Sequence, residues 1–475
     1  MGQFKEYEKY DGLGLAALVA KGDVSAVELL DEAIERTEAR NPKLNAVVIK
    51  NYDEARKQIK DGLPDGPFKG VPFLLKDLHL LLKDTMTSYG SAAWDGYVAD
   101  HNSTLTDRYL KAGLVIFGKT NSPELGLTGT TEPRLYGATH NPWNLEHSPG
   151  GSSGGAAAAV AGGIIPVANA SDGGGSIRIP ASACGLFGLK PTRGRTPMGP
   201  DRGEGWGGQS ISHVVSRTVR DSAALLDATT GAEPGDPYAP PHQARSFLEE
   251  MGARPERLRI AVNAKRPDGT LPEPEVVEAI NKAAKQLEDL GHHVEEAIPP
   301  IDAAVLGDHQ ASIIGANVAL TLDQRAEQLG RPLTKNDVEN VTWLIAEAAK
   351  GRTSVDYAKA SLFMHQMGRM MGRFMTEYDV YLSPVMGTPP PKLGVLDMTT
   401  DDVGTYLGNL TKIMPYTAIF NMTGQPSMSM PLHWTKDGLP VGTMFTARFG
   451  EDATLLRLAA QLEAAHPWAH KRPSM

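Results

Sequence analysis

SPGGSSGGAAAAVAGGIIPVANASDGGGS, residues 148–176, decides how the chain is read. Its alanine run predicts a helix over Gly154–Ala161; Ile164–Val167 then reads as a short strand running into a loop over Asn169–Gly175. Upstream, Leu114–Phe117 reads as another short apolar strand. Strand, helix and strand at this spacing predict parallel β packing and an α/β fold. Residues 148–171 carry no charge, which raises a membrane span,. They are mostly Gly and Ala, interrupted by Pro166 and Asn169, so buried core is the better reading,.

Outward from this stretch the alternation continues. Asp11 caps a helix over Leu13–Ala20 ended by Gly22, and Ser25 with Glu28 forms a capping box for a helix ending before Asn41-Pro42,. GVPFLLKDLHLLL, 70–82, reads as buried strand with a lysine inside it,. Asp221 starts a helix, 231–241 is a Pro/Gly loop, and strand Leu258–Val262 precedes helix Pro274–Leu290,. Asp302–Met375 is mostly helical, and strands return at Val380–Leu382 and Ser427–Met430. This pattern predicts one large α/β domain with a helical insertion.

The 475 residues supply ample core, and a net charge of −9 with dispersed Lys and Arg argues against nucleic acid or an anionic membrane as partner,. Cys184 is the single cysteine, so no intrachain disulfide forms, and packing is its expected role,. The first residues lack a basic stretch followed by an apolar one,. A cytoplasmic location is expected.

GGSSG and GSSGG both fit the nucleophile-elbow pattern, but the preceding NPWNLEHSP is poor strand text and an elbow needs a strand,. Ser176 is the other candidate nucleophile. Gly173–Gly175 let the backbone N–H groups converge on one point as an oxyanion hole requires, and a tight structural loop is the alternative,. A serine hydroxyl needs a base. None of the 13 histidines reads as one: His292-His293 look like exposed turn residues, and no H-E-x-x-H or other metal-ligand spacing is present,. Lysine can serve if burial lowers its pKa by roughly three units. Lys76, inside VPFLLKDL, has such neighbours, with an ion pair to Asp77 or a snorkelling side chain as alternatives,. No serine is followed three residues later by lysine,.

GVPFLLKD, GKTNSPELG (118–126), NPWN (141–144), PGGSSGG (149–155), SDGGGSIRIPASACG (171–185), GLKPTRGR (188–195), FNMTGQPSMSMP (420–431) and DGLPVG (437–442) together resemble the amidase signature family. The resemblance implies a large central mixed β-sheet flanked by helices. It divides the single domain into N-terminal helices (1–64), a signature core (65–230), a loop plus αβ unit (231–301), the helical insertion (302–379) and a C-terminal return (380–475). The family's Ser-Ser-Lys triad places the middle serine 24 positions before the nucleophile, which selects Ser152 over Ser153. Ser176 is then the nucleophile, Ser152 a proton relay after a cis peptide bond, and Lys76 the base and acid. Gly173, Gly174, Gly175 and Ser176 would supply oxyanion N–H groups. Ser153, Asp172 and Arg178 would brace the loop. Gly126, Leu127 and Ser171 would touch substrate. Gly173 and Ala156 depart from the commonest family text, without touching the proton path. No metal or organic cofactor is implied.

The acyl pocket is expected from 126–129, the insertion and 387–419, all mostly uncharged or apolar. Methionines 364, 367, 370, 371 and 375 follow helical spacing, as core or as a plastic pocket wall,. IGANVAL and LGRPLTKNDVE, in the insertion, resemble a bacterial branch that includes cyclic oligoamide hydrolases. A small uncharged or apolar amide is the expected substrate, with esters, carbamates and cyclic oligoamides as further ones. The rival readings are a glutamine-hydrolysing subunit of an amidotransferase and an inactive binding protein with the same fold. A homodimer is compatible with these features.

Overall fold

The computed structural model describes residues 4–253, 256–301 and 303–475. Asp11 opens the first helix, Gly12–Lys21, by accepting from the Gly14 N–H, and Gly22 closes it in the left-handed region. Ser25 and Glu28 cap the second helix, Ala26–Leu44, reciprocally. This helix runs through Pro42, where it was expected to stop before Asn41. The proline falls in the last turn, where its missing N–H forfeits a single bond, and the extra turn buries Leu44 completely,. Asn45 then ends the helix in the left-handed region, and the Asn41 side chain accepts from the Ala46 and Val47 N–H groups, launching the first strand.

The strands are β1 (Val47–Lys50), β2 (Pro72–Lys76), β3 (Val115–Thr120), β4 (Val167–Asp172), β5 (Phe187–Lys190), β6 (Ile211–Ser216), β7 (Arg259–Val262), β8 (His293–Glu296), β9 (Val380–Pro384), β10 (Ser427–Trp434) and β11 (Pro440–Ala447). They form a three-stranded sheet, β1-β3-β2, and an eight-stranded mixed sheet, β4-β6-β5-β10-β11-β9-β7-β8. The large sheet is antiparallel from β4 to β9 and parallel across β9, β7 and β8.

Around residues 148–176 the expected parallel packing does not form. Leu114–Phe117 falls at the start of β3, which is parallel to β2 in the small sheet, whereas β4 joins the large sheet antiparallel to β6. β4 also begins where its strand was expected to end and takes in Asn169–Asp172, which the sequence assigned to a loop. Pro166 has no N–H for a ladder, so pairing starts beyond it.

Between the two sheets runs the helix Gly154–Ala161, with all eight residues buried. Only small residues fit there: a Cβ on Gly155 would lie 2.4 Å from the Asn121 backbone nitrogen. The insertion consists of helices Ala303–Leu329, Asn340–Lys350 and Ser354–Phe374; Asp302, its expected start, lies outside the described residues. Met364, Met367, Met371 and Met375 are buried with Tyr381 and Phe420 in one apolar cluster, so these methionines are core. Among the described residues no helix is long and apolar enough to cross a membrane.

Candidate active site

Lys76 is the last residue of β2 and is 1% exposed. Its Nζ lies 2.6 Å from Ser152 Oγ and donates to Ser171 Oγ at 3.1 Å. Its backbone N–H donates to Asn169 Oδ1 on β4 at 3.1 Å, a side-chain link from the small sheet to the large one. Burial pushes the ammonium down to about 7, and the negative charge of Asp172 pulls the other way without prevailing,. Asp77 does not pair with this lysine; its carboxylate accepts from the Ser88 N–H and hydroxyl.

Ser152 follows a cis Gly151–Ser152 peptide and precedes the buried alanine helix. No strand leads into it: the segment 141–147 carries turns and isolated bridges. Ser153 Oγ accepts from the Ser171 N–H and lies 3.3 Å from the Ser171 carbonyl oxygen, fixing the start of that helix to β4. Ser176 sits after the three glycines and before the helix Arg178–Cys184. Ser152, Ser176, Ser171 and Gly126 line one cavity of about 20 Å³, room for a water-sized group,.

Asp172 and Arg178 are both fully buried and paired through two parallel bonds, Nη2 to Oδ1 at 2.9 Å and Nε to Oδ2 at 3.0 Å,. Burial alone would raise the Asp172 carboxyl, but the Arg178 guanidinium, together with Lys190 and Asn421, holds the group below the usual carboxylate range. The same carboxylate accepts from the Gly175 and Ile177 N–H groups at 2.8 and 3.1 Å. The Gly175 donor is therefore committed to Asp172, which corrects its assignment to an oxyanion hole. Among the described residues, the N–H groups of Gly173, Gly174 and Ser176 have no protein acceptor.

Other expectations resolve differently. Leu127 packs into the apolar clusters of the insertion and lines neither this cavity nor the larger one beside it. No residue of 387–419 lines them either, whereas the insertion contributes Asn317, Val318 and Thr321 to the larger one. Cys184 is buried, and burial pushes its thiol up. His292 is 6% exposed and accepts from the Leu258 N–H, so it is a structural residue; His293 alone is exposed.

Sequence reasoning missed three residues. Asn421 donates to Asp172 Oδ1 at 2.8 Å and accepts from Arg178 at 2.6 Å; its presence in FNMTGQP was the available signal. His79, three positions after Lys76, lines the cavity, and burial holds its imidazole neutral, down at about 3. Trp206 lines it too, from a glycine-flanked turn with no sequence pattern of its own. Among the described residues no three or more His, Cys, Asp or Glu side chains gather as metal ligands would.

The amidase family model matches residues 28–456. The 6-aminohexanoate-cyclic-dimer hydrolase of Paenarthrobacter ureafaciens is 38% identical over 478 residues, 98% of this chain and 96% of the relative. A solved structure of 6-aminohexanoate cyclic dimer hydrolase superposes with a TM-score of 0.93 at 38% identity, covering 98% of this chain and 99% of the other. A bacterial aryl acylamidase of the amidase signature enzymes gives 0.89 at 28% identity over 97% of each chain. Fold and relatives together define an enzyme that hydrolyses amide bonds. The chain belongs to the amidase signature family.

Proposed function

We propose that this enzyme cleaves a small uncharged amide through an acyl-enzyme on Ser176. Ser176 Oγ attacks the carbonyl carbon as its proton passes to Ser152, whose own proton passes to neutral Lys76 Nζ. The oxyanion is met by the N–H groups of Gly173, Gly174 and Ser176, donors whose individual loss typically costs about 3–4 kcal/mol of barrier. The carbon–nitrogen bond then breaks, the amine leaves with a proton returned from Lys76 through Ser152, and water releases the acid by the same path. The observation that carries the reading is a buried lysine amine 2.6 Å from Ser152 Oγ, in surroundings that push it down to about 7,. Asp172 and Arg178 hold the glycine loop in register with it.

Cyclic oligoamides belong among its substrates, on the strength of the relative named for a 6-aminohexanoate cyclic dimer. The chain works as one catalytic domain in the cytoplasm, alone or as a homodimer; strands of the large sheet are drawn from Val167 through Ala447. The test is a panel of primary amides, anilides, lactams and cyclic diamides, with fluorophosphonate labelling of the wild type and Ser176→Ala. Turnover with labelling lost in Ser176→Ala supports the proposal. Absence of both in the purified wild type, or hydrolysis of glutamine alone, overturns it.

A further inference from the structure

Beside the cavity at Ser176 lies a second of about 550 Å³, within the usual range for a whole organic ligand,. His79, Leu125, Met198, Trp206 and Ser210 line both, so they form the neck between the two. The inner space, about 20 Å³, holds little more than the reacting carbonyl,. Substrate bulk must therefore lie in the outer cavity, and the neck determines what passes.

Trp206 is the largest side chain of the neck. It sits in Gly205-Trp206-Gly207-Gly208 with φ at 51°, a left-handed value rare for a bulky side chain, and the two following glycines are left-handed as well,. Gln209 holds the Trp206 carbonyl through both backbone and side-chain N–H groups, and among the described residues the indole N–H has no acceptor. The ring packs against Gly173: a Cβ there would lie 2.8 Å from Trp206 Cε3 and 2.9 Å from Cζ3. Any side chain at 173 would displace the indole, so the bare backbone of one candidate oxyanion donor is also the seat of the ring. The leaving nitrogen must face Ser152, beside Gly126. On the acyl-enzyme reading, with the nitrogen turned to Ser152, the acyl half lies toward the ring over Gly173.

We propose that Trp206, seated on Gly173, is the residue that determines acyl-group specificity, admitting slender acyl chains to Ser176 and turning away broad ones. This rests on the Ser176 acyl-enzyme reading above.

The test is a series of p-nitroanilides with one leaving group and acetyl, butyryl, hexanoyl, benzoyl and naphthoyl acyl groups, assayed on wild type, Trp206→Ala, Trp206→Phe and Gly173→Ala. The naphthoyl-to-acetyl ratio of kcat/KM should rise at least about tenfold in Trp206→Ala, the scale on which pocket fit discriminates, with Trp206→Phe between it and wild type. Gly173→Ala keeps the N–H and the indole but moves the ring, so it should also change the ratio. A ratio unmoved in both Trp206 variants, while the wild type turns over anilides, overturns this proposal and leaves the hydrolase reading standing. If Trp206→Ala does not fold, Trp206→Phe alone decides between these outcomes. A wild type that neither hydrolyses the series nor is labelled by fluorophosphonate overturns both.

Discussion

The protonation state of Lys76 should dominate the pH dependence of catalysis. With the group at about 7, roughly a tenth of the enzyme carries a neutral amine at pH 6 and about a hundredth at pH 5,. kcat/KM for an anilide should rise about tenfold per pH unit below 7 and level off above it. Lys76→Met removes the base while filling nearly the same volume, so the fold should survive; general acid–base participation is worth roughly a hundred- to ten-thousandfold. That range is about 2.7–5.5 kcal/mol of barrier. Lys119 is also buried and also pushed down, to about 8, mainly by burial and with Asp77 as its charged neighbour, so Lys119→Met is the matched control. The assay is kcat/KM against pH for all three proteins, with circular dichroism to verify folding. Turnover by Lys76→Met within about tenfold of wild type, about 1.4 kcal/mol, or persistence of the inflection near 7 in that variant, would refute the base assignment.

Ser152→Ala should fold normally and lose amide turnover by several orders of magnitude. Its loss on a matched ester should be smaller, because an alkoxide leaves with less help from a proton; the ester-to-amide ratio in stopped assays checks this. Arg178→Met leaves the Asp172 carboxylate buried without its partner, so urea unfolding should show a loss of about 3–5 kcal/mol,. Glu339 is buried beside Glu124, whose Oε2 accepts the Glu339 N–H, and burial together with that neighbour's charge raises Glu339 to about 8. Between the ordinary carboxyl range and about 8 the unfolded chain releases a proton that the folded chain keeps, so stability falls with rising pH by up to about 1.4 kcal/mol per unit,. Glu339→Gln should flatten the decline of Tm between pH 5 and 8; a parallel decline in both proteins would count against it.

Lys76 was legible in sequence because a cation in VPFLLKDL has no cheap explanation, and the alanine helix because Gly154–Ala161 has a single sensible packing. The choice between Ser152 and Ser153 came from spacing to Ser176 within a resemblance, since the two hydroxyls are locally equivalent. The strands β1, β5, β6 and β11 escaped: the first two are four residues each, ISHVVS carries serine and histidine on a strand buried along its whole length, and PVGTMFTA reads as neither alternating nor uniformly apolar. Buried strands in a mixed sheet take their register from partners far along the chain, which local pattern does not encode. The neck escaped for the same reason. His79, Leu125, Met198, Trp206 and Ser210 come from separate segments, and only the packed fold makes them one wall.

The placement of the candidate triad follows from the meeting of two sheets. A lysine loses its proton near pH 7 only where water is excluded and no carboxylate is close enough to compensate. β2 supplies that place by ending against β4, where Asn169 takes the Lys76 N–H and the nearest strong acid, Asp172, is already engaged by Arg178, Asn421 and the glycine loop. Arg178 sets a positive charge directly against that carboxylate, whose pull on Lys76 does not overcome burial. The buried ion pair beside Ser176 thus does two things at once: it fixes the loop that presents the nucleophile, and it sets an opposite charge against the carboxylate that acts on the base. The small residues of 150–161 make both possible, because a helix with larger side chains would part the sheets and admit water to the amine.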